Sequence, residues 1–245
     1  MGRKRLEKIG DIYCRLNVEY FFHKQAVYFL FLLNDIRIKK DIGMSIERTE
    51  KAFELFDAYN KRDPKIITWD GIAYPAEYFY ALQLYGWVKK LEPQAGEDLL
   101  LASRCQHIGR WNLPRNQYPS GKTGYYKWRN DLAKFHADTA GRLLSEAGYD
   151  EEEINAVQHI LLKENLRKDE VVQVMENALC LVFLQFQYED FITKHDDQMV
   201  IRILQKTWKK MTGPGKEAAL SLDFREKGKA LLMMALGDDG SGIKV

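Results

Sequence analysis

The sequence is 245 residues long and nearly balanced in charge, with 37 Lys plus Arg against 35 Asp plus Glu and a formal net charge of +2. A chain of this length can bury a real core in one large or two small domains. The small net charge gives no reason to expect nonspecific binding to nucleic acid or to an anionic membrane. Three scattered cysteines, Cys14, Cys105 and Cys180, form no CxxC pair and predict a reduced, cytoplasmic protein with buried thiols.

The first 44 residues predict an N-terminal extension, either a partly apolar helix or a poorly ordered segment. Its uninterrupted apolar run, Ala26 to Leu33, covers about half of the ~18 residues that a membrane-spanning helix needs. His23, Lys24 and Gln25 interrupt the apolar stretch before that run, and no small-residue cleavage site follows it cleanly. A membrane anchor or targeting segment is therefore the disfavoured alternative, and we expect no transmembrane segment.

From Ser45 to Leu236 the pattern predicts one all-α, multi-helix domain, because β-type alternation is nearly absent and there are only 6 prolines. Proline and glycine predict a turn at 69–71 and a loop at 112–124. Gly148 predicts a helix end, and Asp150 with Glu153 predicts a capping box for the next helix. The predicted helices are Lys51–Asn60, one beginning at Pro75, Glu97–His107, Tyr125–Ala147, Glu151–Asn165, Asp169–Asp190, His195–Met211 and Gly215–Leu236.

The helix over 169–190 is expected at the centre of the domain, because its ALCLVFLQF run is apolar on nearly every side and needs cover all round. The last residues, 237–245, predict a flexible tail.

Four polar side chains stand out against this apolar pattern. Glu77, His136 and Glu176 each interrupt an apolar helical stripe, and His107 ends another predicted helix beside a basic loop. Buried carboxylates and imidazoles are costly unless they are paired, protonated or bound to metal. Inward-facing His and carboxylate side chains on separate helices are how helical proteins build metal sites. We therefore predict that His107, His136 and Glu176 bind a divalent metal. Glu77 and Gln106 are the predicted catalytic residues.

The alternative interpretation is that each of these polar side chains is satisfied by its own local partner, as buried polar groups usually are. The two interpretations differ in geometry. A metal site requires the side chains to meet around one pocket, whereas local partners leave them in separate places.

The loop between these helices is basic and aromatic, which predicts a binding site for a small anion. Arginine makes bidentate contacts to phosphate or carboxylate, and aromatic faces stack on a base or on the guanidinium itself. The basic surface is local, whereas a nucleic-acid surface would need a wider stripe. The alternative is that the arginines pair with Glu77, Asp131 and Glu176 and hold the loop down. The predicted ligand-binding residues are Arg104, Arg110, Trp111, Arg115, Lys122, Trp128 and Arg129.

The spacing of Glu77, Gln106-His107 and Glu176 resembles the H…HD…D layout of the metal-dependent HD-type phosphohydrolases, which are also all-helical. The resemblance implies ligands on separate helices, with His136 as an additional ligand. Each position departs from the pattern: Glu stands for the first His, Gln-His for His-Asp, and Glu-Asn for the final Asp. A literal His-Asp dipeptide at 195–196 lies in a charged run at a predicted helix start, where capping explains it better.

The motifs QHIGRW, LPRNQYP, GYYKWRNDLAKFHA, AGY and ENALCLVFLQFQYEDF are together similar to the domain-of-unknown-function family 4202. The resemblance covers roughly Phe53 to Leu222. It implies a single helical domain and no established activity. In that family the later motif usually reads Glu-Asp-Ala, whereas this chain has Glu176-Asn177-Ala178. If that aspartate is a ligand in the family, the departure implies weaker metal binding by this chain.

Two functions from different classes follow from these observations. The first is a metal-dependent hydrolase of a small phosphorylated, nucleotide-like molecule, in which the metal lowers the pKa of a bound water and the arginines hold the phosphate. The second is a non-catalytic helical module that binds an anionic ligand or a protein partner through the loop at 110–129. Metal content of the purified protein would distinguish them.

Overall fold

The structure, a computed structural model, describes residues 45–237. The chain divides into two units, Met1–Arg48 and Thr49–Val245. The predicted N-terminal extension at 1–44 lies outside the described residues, and so do positions 238–245 of the predicted tail.

The prediction of an all-α fold is confirmed, since about three quarters of the described residues are helical. None of the described helices is long and apolar enough to cross a membrane. Cys105 and Cys180 are buried free thiols, as predicted. The α-helices are α1 (residues 45–60), α2 (Ala76–Leu91), α3 (Glu97–Cys105), α4 (Gly121–Ala147), α5 (Glu151–Leu162), α6 (Glu170–Val182), α7 (Tyr188–Lys194), α8 (Asp197–Lys210), α9 (Gly213–Leu220) and α10 (Glu226–Leu236).

A small β-hairpin joins α1 to α2 where the sequence predicted only a turn. Its antiparallel strands are β1 (Ile66–Trp69) and β2 (Ile72–Pro75), with Trp69 opposite Ile72. Asp70 and Gly71 connect them with φ of 48° and 78°, the left-handed pair that a two-residue hairpin turn requires. Strands of four residues are too short to show alternation, but the Asp-Gly dipeptide was a usable signal.

The helix boundaries that depend on local capping are predicted well. α4 ends at Gly148, and the capping box of Asp150 and Glu153 is present with both of its hydrogen bonds. Asp196 accepts a hydrogen bond from the backbone N–H of Met199, which confirms that the His-Asp dipeptide caps a helix.

One predicted helix changes geometry along its length, and another is broken. The predicted 169–190 helix changes to π-helical geometry at Phe183–Gln187 and continues as α7 to Lys194. The predicted 215–236 helix is broken between α9 and α10. Ser221 hydrogen-bonds back to the carbonyl of Ala218, and the backbone N–H of Arg225 donates to Glu189 at the start of α10. Because that last contact is long-range, the periodicity of the sequence could not show the break.

α6 lies at the centre of the domain, as predicted. It packs against α2, α3, α5, α8 and α9, and its Val172, Met175, Ala178 and Leu181 have no exposed surface. Full burial of a Val, Leu or Met side chain stabilises a fold by roughly 1.5–3 kcal/mol. This helix therefore contributes much of the core against which α3, α4 and α5 position the polar residues described next.

Candidate functional site

A polar cavity lies between α3, α4 and the end of α5, and we call it the histidine cavity. Its volume is about 160 Å³. His107 and His136, which are 29 residues apart in sequence, both line it, with ring centroids 5.8 Å apart. The lining residues are Gln106, His107, Arg110, Arg129, Asn130, Leu132, Ala133, His136, Leu161, Leu162 and Lys163. The structure thus brings together both histidines, the predicted catalytic amide and two of the predicted arginines.

The turn after α3 builds one wall of the cavity. Gly109 follows the Gln106-His107 pair with a φ of 68°, and a Cβ on it would lie 2.8 Å from the Tyr59 ring and 2.9 Å from the Phe135 ring. Only glycine combines this left-handed conformation with so close an approach. The turn therefore folds tightly onto α1 and α4.

His136 is a neutral imidazole in which one ring nitrogen binds the backbone and the other has no partner in the described chain. Its Nδ1 lies 2.7 Å from the carbonyl of Ile108, and because a carbonyl only accepts, Nδ1 carries the proton and Nε2 of the neutral ring carries none. That Nε2 atom is buried and has no hydrogen-bond partner within residues 45–237. Burial is the main cause that lowers the pKa of His136 to about 4, and Arg110 and Arg129 lower it further.

His107 borders three spaces at once: the histidine cavity, a second cavity beyond it and a small void. Burial holds the pKa of His107 well below its usual range, and the charges of Arg110 and Lys163 act in the same direction. Both imidazoles are therefore neutral at pH 7 and can accept a proton or a hydrogen bond.

Three cationic side chains share the histidine cavity with these neutral rings: Arg110, Arg129 and Lys163. Arg110 also lies over the Trp128 ring at 5.6 Å. Lys163 follows α5 in the left-handed conformation, with a φ of 58°, which is uncommon for a residue other than glycine. Its ammonium binds Glu176. The cavity therefore combines positive charge with unprotonated nitrogen acceptors.

Lys163 and Asn130 are cavity residues that the sequence did not predict. The predicted helix ran through Lys163 to Asn165, where a lysine normally points to solvent, so nothing in the sequence marked it. Asn130 adjoins Arg129, which lies seven residues before His136 and hence on the same face of α4. The seven-residue spacing of Arg129 and His136 could therefore have predicted that this part of α4 lines the cavity.

Glu176 does not line the histidine cavity. It is 2% exposed and forms ion pairs with Lys163 and, at 3.1 Å, with Lys210. Burial opposes its ionisation, but the two lysines outweigh burial and hold its pKa below the usual value. The predicted metal set of His107, His136 and Glu176 is therefore brought together only as far as the two histidines. Among residues 45–237 no group of three or more His, Cys, Asp or Glu side chains is placed to hold a metal.

Glu77 lies beyond His107, on the wall of a second cavity of about 280 Å³. Burial raises its pKa to about 7, against the opposing charge of Arg110. Its Oε2 atom is buried without a hydrogen-bond partner in the described part of the chain. The lining residues of the second cavity are Lys65, Glu77, Tyr80, His107, Arg110, Phe183, Phe186, Gln187, Asp190, Phe191 and Lys194.

The basic loop is held mostly by its own backbone rather than by carboxylates. Arg115 donates to the carbonyls of Tyr118 at 3.0 Å and Pro119 at 2.9 Å. The Trp128 indole N–H donates to the carbonyl of Leu113 at 2.9 Å. These contacts give Arg115 and Trp128 a role in shaping the loop.

The other three predicted ligand-binding residues lie outside the lining of both cavities. Arg104 forms a partly buried ion pair with Asp57 and stacks over the Phe53 ring at 5.0 Å. Trp111 contacts the ring of Tyr59, and Lys122 lies over that of Tyr126. These contacts are structural.

Asn177, where the resemblance in the sequence implied an aspartate, does not line the histidine cavity. Its amide donates to Thr212 Oγ1 at 2.7 Å and accepts from the Thr212 backbone N–H at 3.0 Å. A Cβ on Gly215 would lie 2.8 Å from the same amide. Position 177 therefore joins α6 to α9.

The fold and the site define an all-α protein with a cationic, histidine-lined cavity. The chain belongs to the family described as Domain of unknown function (DUF4202), whose family model matches residues 50–232. The family resemblance seen in the sequence motifs is thus confirmed. No curated protein and no solved structure matches the chain, so the HD-type layout stays a prediction.

Proposed function

We propose that this protein is a hydrolase that binds a small phosphorylated molecule in the histidine cavity. The observation that supports the proposal most is the placement of Arg110, Arg129 and Lys163 around the uncharged His136. Arginine and lysine are the side chains that bind phosphate oxygens, and the cavity is large enough for a phosphate group and part of its substituent.

The chemistry follows from the charges. In phosphoryl transfer most of the catalytic effect comes from positioning and from neutralising the phosphoryl oxygens, which is what Arg110, Arg129 and Lys163 would do. His136 Nε2 would accept a proton from a water that attacks phosphorus. The P–O bond to the leaving group then breaks, and the leaving oxygen takes a proton from solvent. The products are phosphate and an alcohol.

Divalent metal dependence, predicted from the sequence, also remains part of the proposal. The paired rings of His107 and His136 support it, since neutral imidazoles bind transition metals. Glu176 does not support it in the predicted role, because two lysines already occupy its carboxylate. A bound metal would supply a more acidic water, and the roles of the arginines would be unchanged.

The experiment is a phosphate-release assay over nucleotides and sugar phosphates, with EDTA or with added Mn²⁺, Co²⁺ or Mg²⁺. His136→Gln should lower kcat by roughly 10²–10⁴-fold, the range for loss of a general base. Arg129→Ala should mainly raise KM. Lys127→Ala is the matched control, since Lys127 is exposed on the same helix and does not line the cavity. Activity that survives the loss of both histidines would overturn the assignment.

The second candidate is a non-catalytic module that binds the same anion without turning it over. The low pKa of His136 favours it, because a base with a pKa near 4 is weak at neutral pH. Stoichiometric binding of phosphate without release of phosphate from any ester would favour this function over the hydrolase. A cytoplasmic location remains a prediction in both cases.

A further inference from the structure

His159, in the last turn of α5, lies between two carboxylates at opposite ends of the turn that joins α5 to α6. Its Nδ1 is 3.0 Å from Glu164 Oε2, and its Nε2 is 2.8 Å from Asp169 Oδ2. Because an ionised carboxylate only accepts hydrogen bonds, both ring nitrogens donate and the ring is an imidazolium. The other oxygen of Asp169 accepts from the backbone at the start of α6. His159 therefore bridges the end of α5 to the beginning of α6 while it carries both protons.

The surroundings of His159 favour the imidazolium but leave it open to solvent. The hydrogen bonds to Asp169 and Glu164 raise its pKa, and these carboxylates are the charged groups that act on it in the described chain. Its side chain is 30% exposed, so it exchanges protons with water. Since an ordinary histidine titrates at about pH 6.5, His159 loses its proton, and the bridge, as pH rises beyond that value.

The turn that this bridge spans is the one that places Lys163 in the histidine cavity. Lys163 and Asn165 both have left-handed backbones, with φ of 58° and 55°, a conformation that is unfavourable for residues other than glycine. The backbone N–H groups of Lys168 and Asp169 both donate to the carbonyl of Asn165. Strained backbone of this kind persists only where the surrounding contacts hold it, and the bridge through His159 holds both ends of the turn.

We infer that His159 is a positioning residue, which holds Lys163 in the histidine cavity while it is protonated and loosens that hold when it loses a proton. A neutral ring has one N–H, so it keeps one carboxylate and turns a lone pair toward the other. The bridge then opens at one end. Glu176 still binds the Lys163 ammonium, so the effect on the cavity is partial. Its consequence for anion binding rests on the proposed function, whereas the bridge itself does not.

The first measurement follows the bridge without any ligand. NMR of the labelled His159 imidazole gives its pKa, and hydrogen exchange reports the protection of the Lys168 and Asp169 amides below and above that pKa. After correction for intrinsic exchange, protection should fall about threefold or more when His159 is deprotonated. In His159→Arg, which keeps a cation at every pH used, the fall should be absent. A pKa at or below the ordinary value, or protection that does not change, overturns the inference.

The second measurement titrates sulfate into wild type and His159→Gln by calorimetry, at about pH 6 and about pH 8.5. Sulfate keeps its charge over this range, whereas a phosphate group titrates near pH 6. Glu77 also titrates here, because its pKa is about 7, but it does so in both proteins. Between the two pH values, wild type should lose about three- to tenfold more affinity than His159→Gln. The larger figure corresponds to the loss of one charged hydrogen bond.

His195→Gln is the matched control, since it removes an imidazole that does not line the histidine cavity, and it should keep the wild-type pH dependence. If sulfate binds at neither pH, the proposed function fails, and the protection of the two amides alone decides on the bridge. If sulfate binds and its affinity changes equally with pH in wild type and His159→Gln, the positioning role of His159 is overturned while the anion site stands.

Discussion

The histidine cavity and the junction between α6 and α9 bury polar side chains in opposite ways. At the junction both polar atoms of the Asn177 amide bond to Thr212, and Gln173 donates to the carbonyl of Lys210 at 2.9 Å. In the cavity the described chain offers no partner to His136 Nε2. An unsatisfied buried polar atom costs about 1–3 kcal/mol.

This difference separates polar groups that hold the fold together from polar groups available to a ligand. The amide of Asn177 is explained entirely by its contacts within the chain. The histidine cavity instead carries a cost in stability that a bound ligand can offset. Glu176 belongs with the first kind, although the sequence predicted it to belong with the second.

The largest expected effect is a loss of stability on replacing Glu176, and it tests whether this side chain holds the fold together. Glu176→Gln leaves Lys163 and Lys210 without their carboxylate, and breaking a buried ion pair costs about 3–5 kcal/mol. Because the pKa of Glu176 is lowered in the fold, its contribution is present at neutral pH and is lost as pH falls below the ordinary Glu value. Urea unfolding at pH 7 and at acid pH measures both effects.

The matched control for Glu176 is the exposed pair of Asp190 and Lys194. Asp190→Asn should cost about 1 kcal/mol or less, as surface ion pairs do. A loss from Glu176→Gln as small as the loss from Asp190→Asn would contradict the structural role and return Glu176 to the list of candidate ligands.

A somewhat smaller effect, of opposite sign, is expected at Glu77. Its pKa is about 7 in the fold against 4.5 for the free side chain, so the fold favours the protonated form. Stability therefore falls as pH rises from about 4.5 to 7. In metal-free protein, Glu77→Gln should be more stable than wild type by about 3 kcal/mol at pH 8 and equal to it near pH 4. Urea unfolding of both proteins from pH 4 to pH 8 measures this difference in stability. A difference that does not change with pH would contradict the raised pKa of Glu77.

A substitution at the junction between α6 and α9 should change the stability of the protein but not its affinity for phosphate. Asn177→Ala removes both bonds to Thr212 and should cost about 1–3 kcal/mol, with no change in phosphate affinity. Asn130→Ala, at the mouth of the cavity, should weaken phosphate binding and leave the free energy of unfolding unchanged. Calorimetric titration with phosphate and urea unfolding of both variants would test this crossed pattern. A shared effect on both properties would show that the two regions are not separate.

The smallest expected change in stability is at Arg129, which is exposed at the cavity mouth. Arg129→Ala should alter the free energy of unfolding by about 0.5 kcal/mol or less. It should nevertheless weaken phosphate binding about tenfold, because a charged hydrogen bond contributes about 1.5–3 kcal/mol. Lys127→Ala serves as the control in the same titration, and equal affinities for the two variants would contradict the role of Arg129.

What the sequence predicted depends on the range of the interactions. The helix end at Gly148 and the capping box of Asp150 and Glu153 are local, and they were predicted correctly. The convergence of His107 and His136 was anticipated because His136 interrupts an apolar helical stripe and His107 ends a predicted helix beside the loop that leads to it. The break before α10 depends on Glu189, 36 residues before Arg225, so no local pattern contained it.

The ion pairs of Glu176 were missed for the same reason. A carboxylate within an apolar stripe indicates a buried partner, but it does not say which partner. The partner here is Lys163, whose backbone leaves α5 in a left-handed conformation that its sequence does not favour. The packing of α5 against α6 brings the Lys163 ammonium to the Glu176 carboxylate, and the sequence pattern does not show this contact.

The most direct test of the central claim is the pKa of His136, measured by NMR of the labelled imidazole with and without phosphate. Without phosphate we expect a pKa near 4 and an imidazole protonated at Nδ1. A nearby anion shifts a pKa by about 1–3 units toward the charged form, so saturating phosphate should raise that of His136 by at least about one unit. A pKa near 6.5 that phosphate does not change would contradict the claim that this cavity is built to receive an anion.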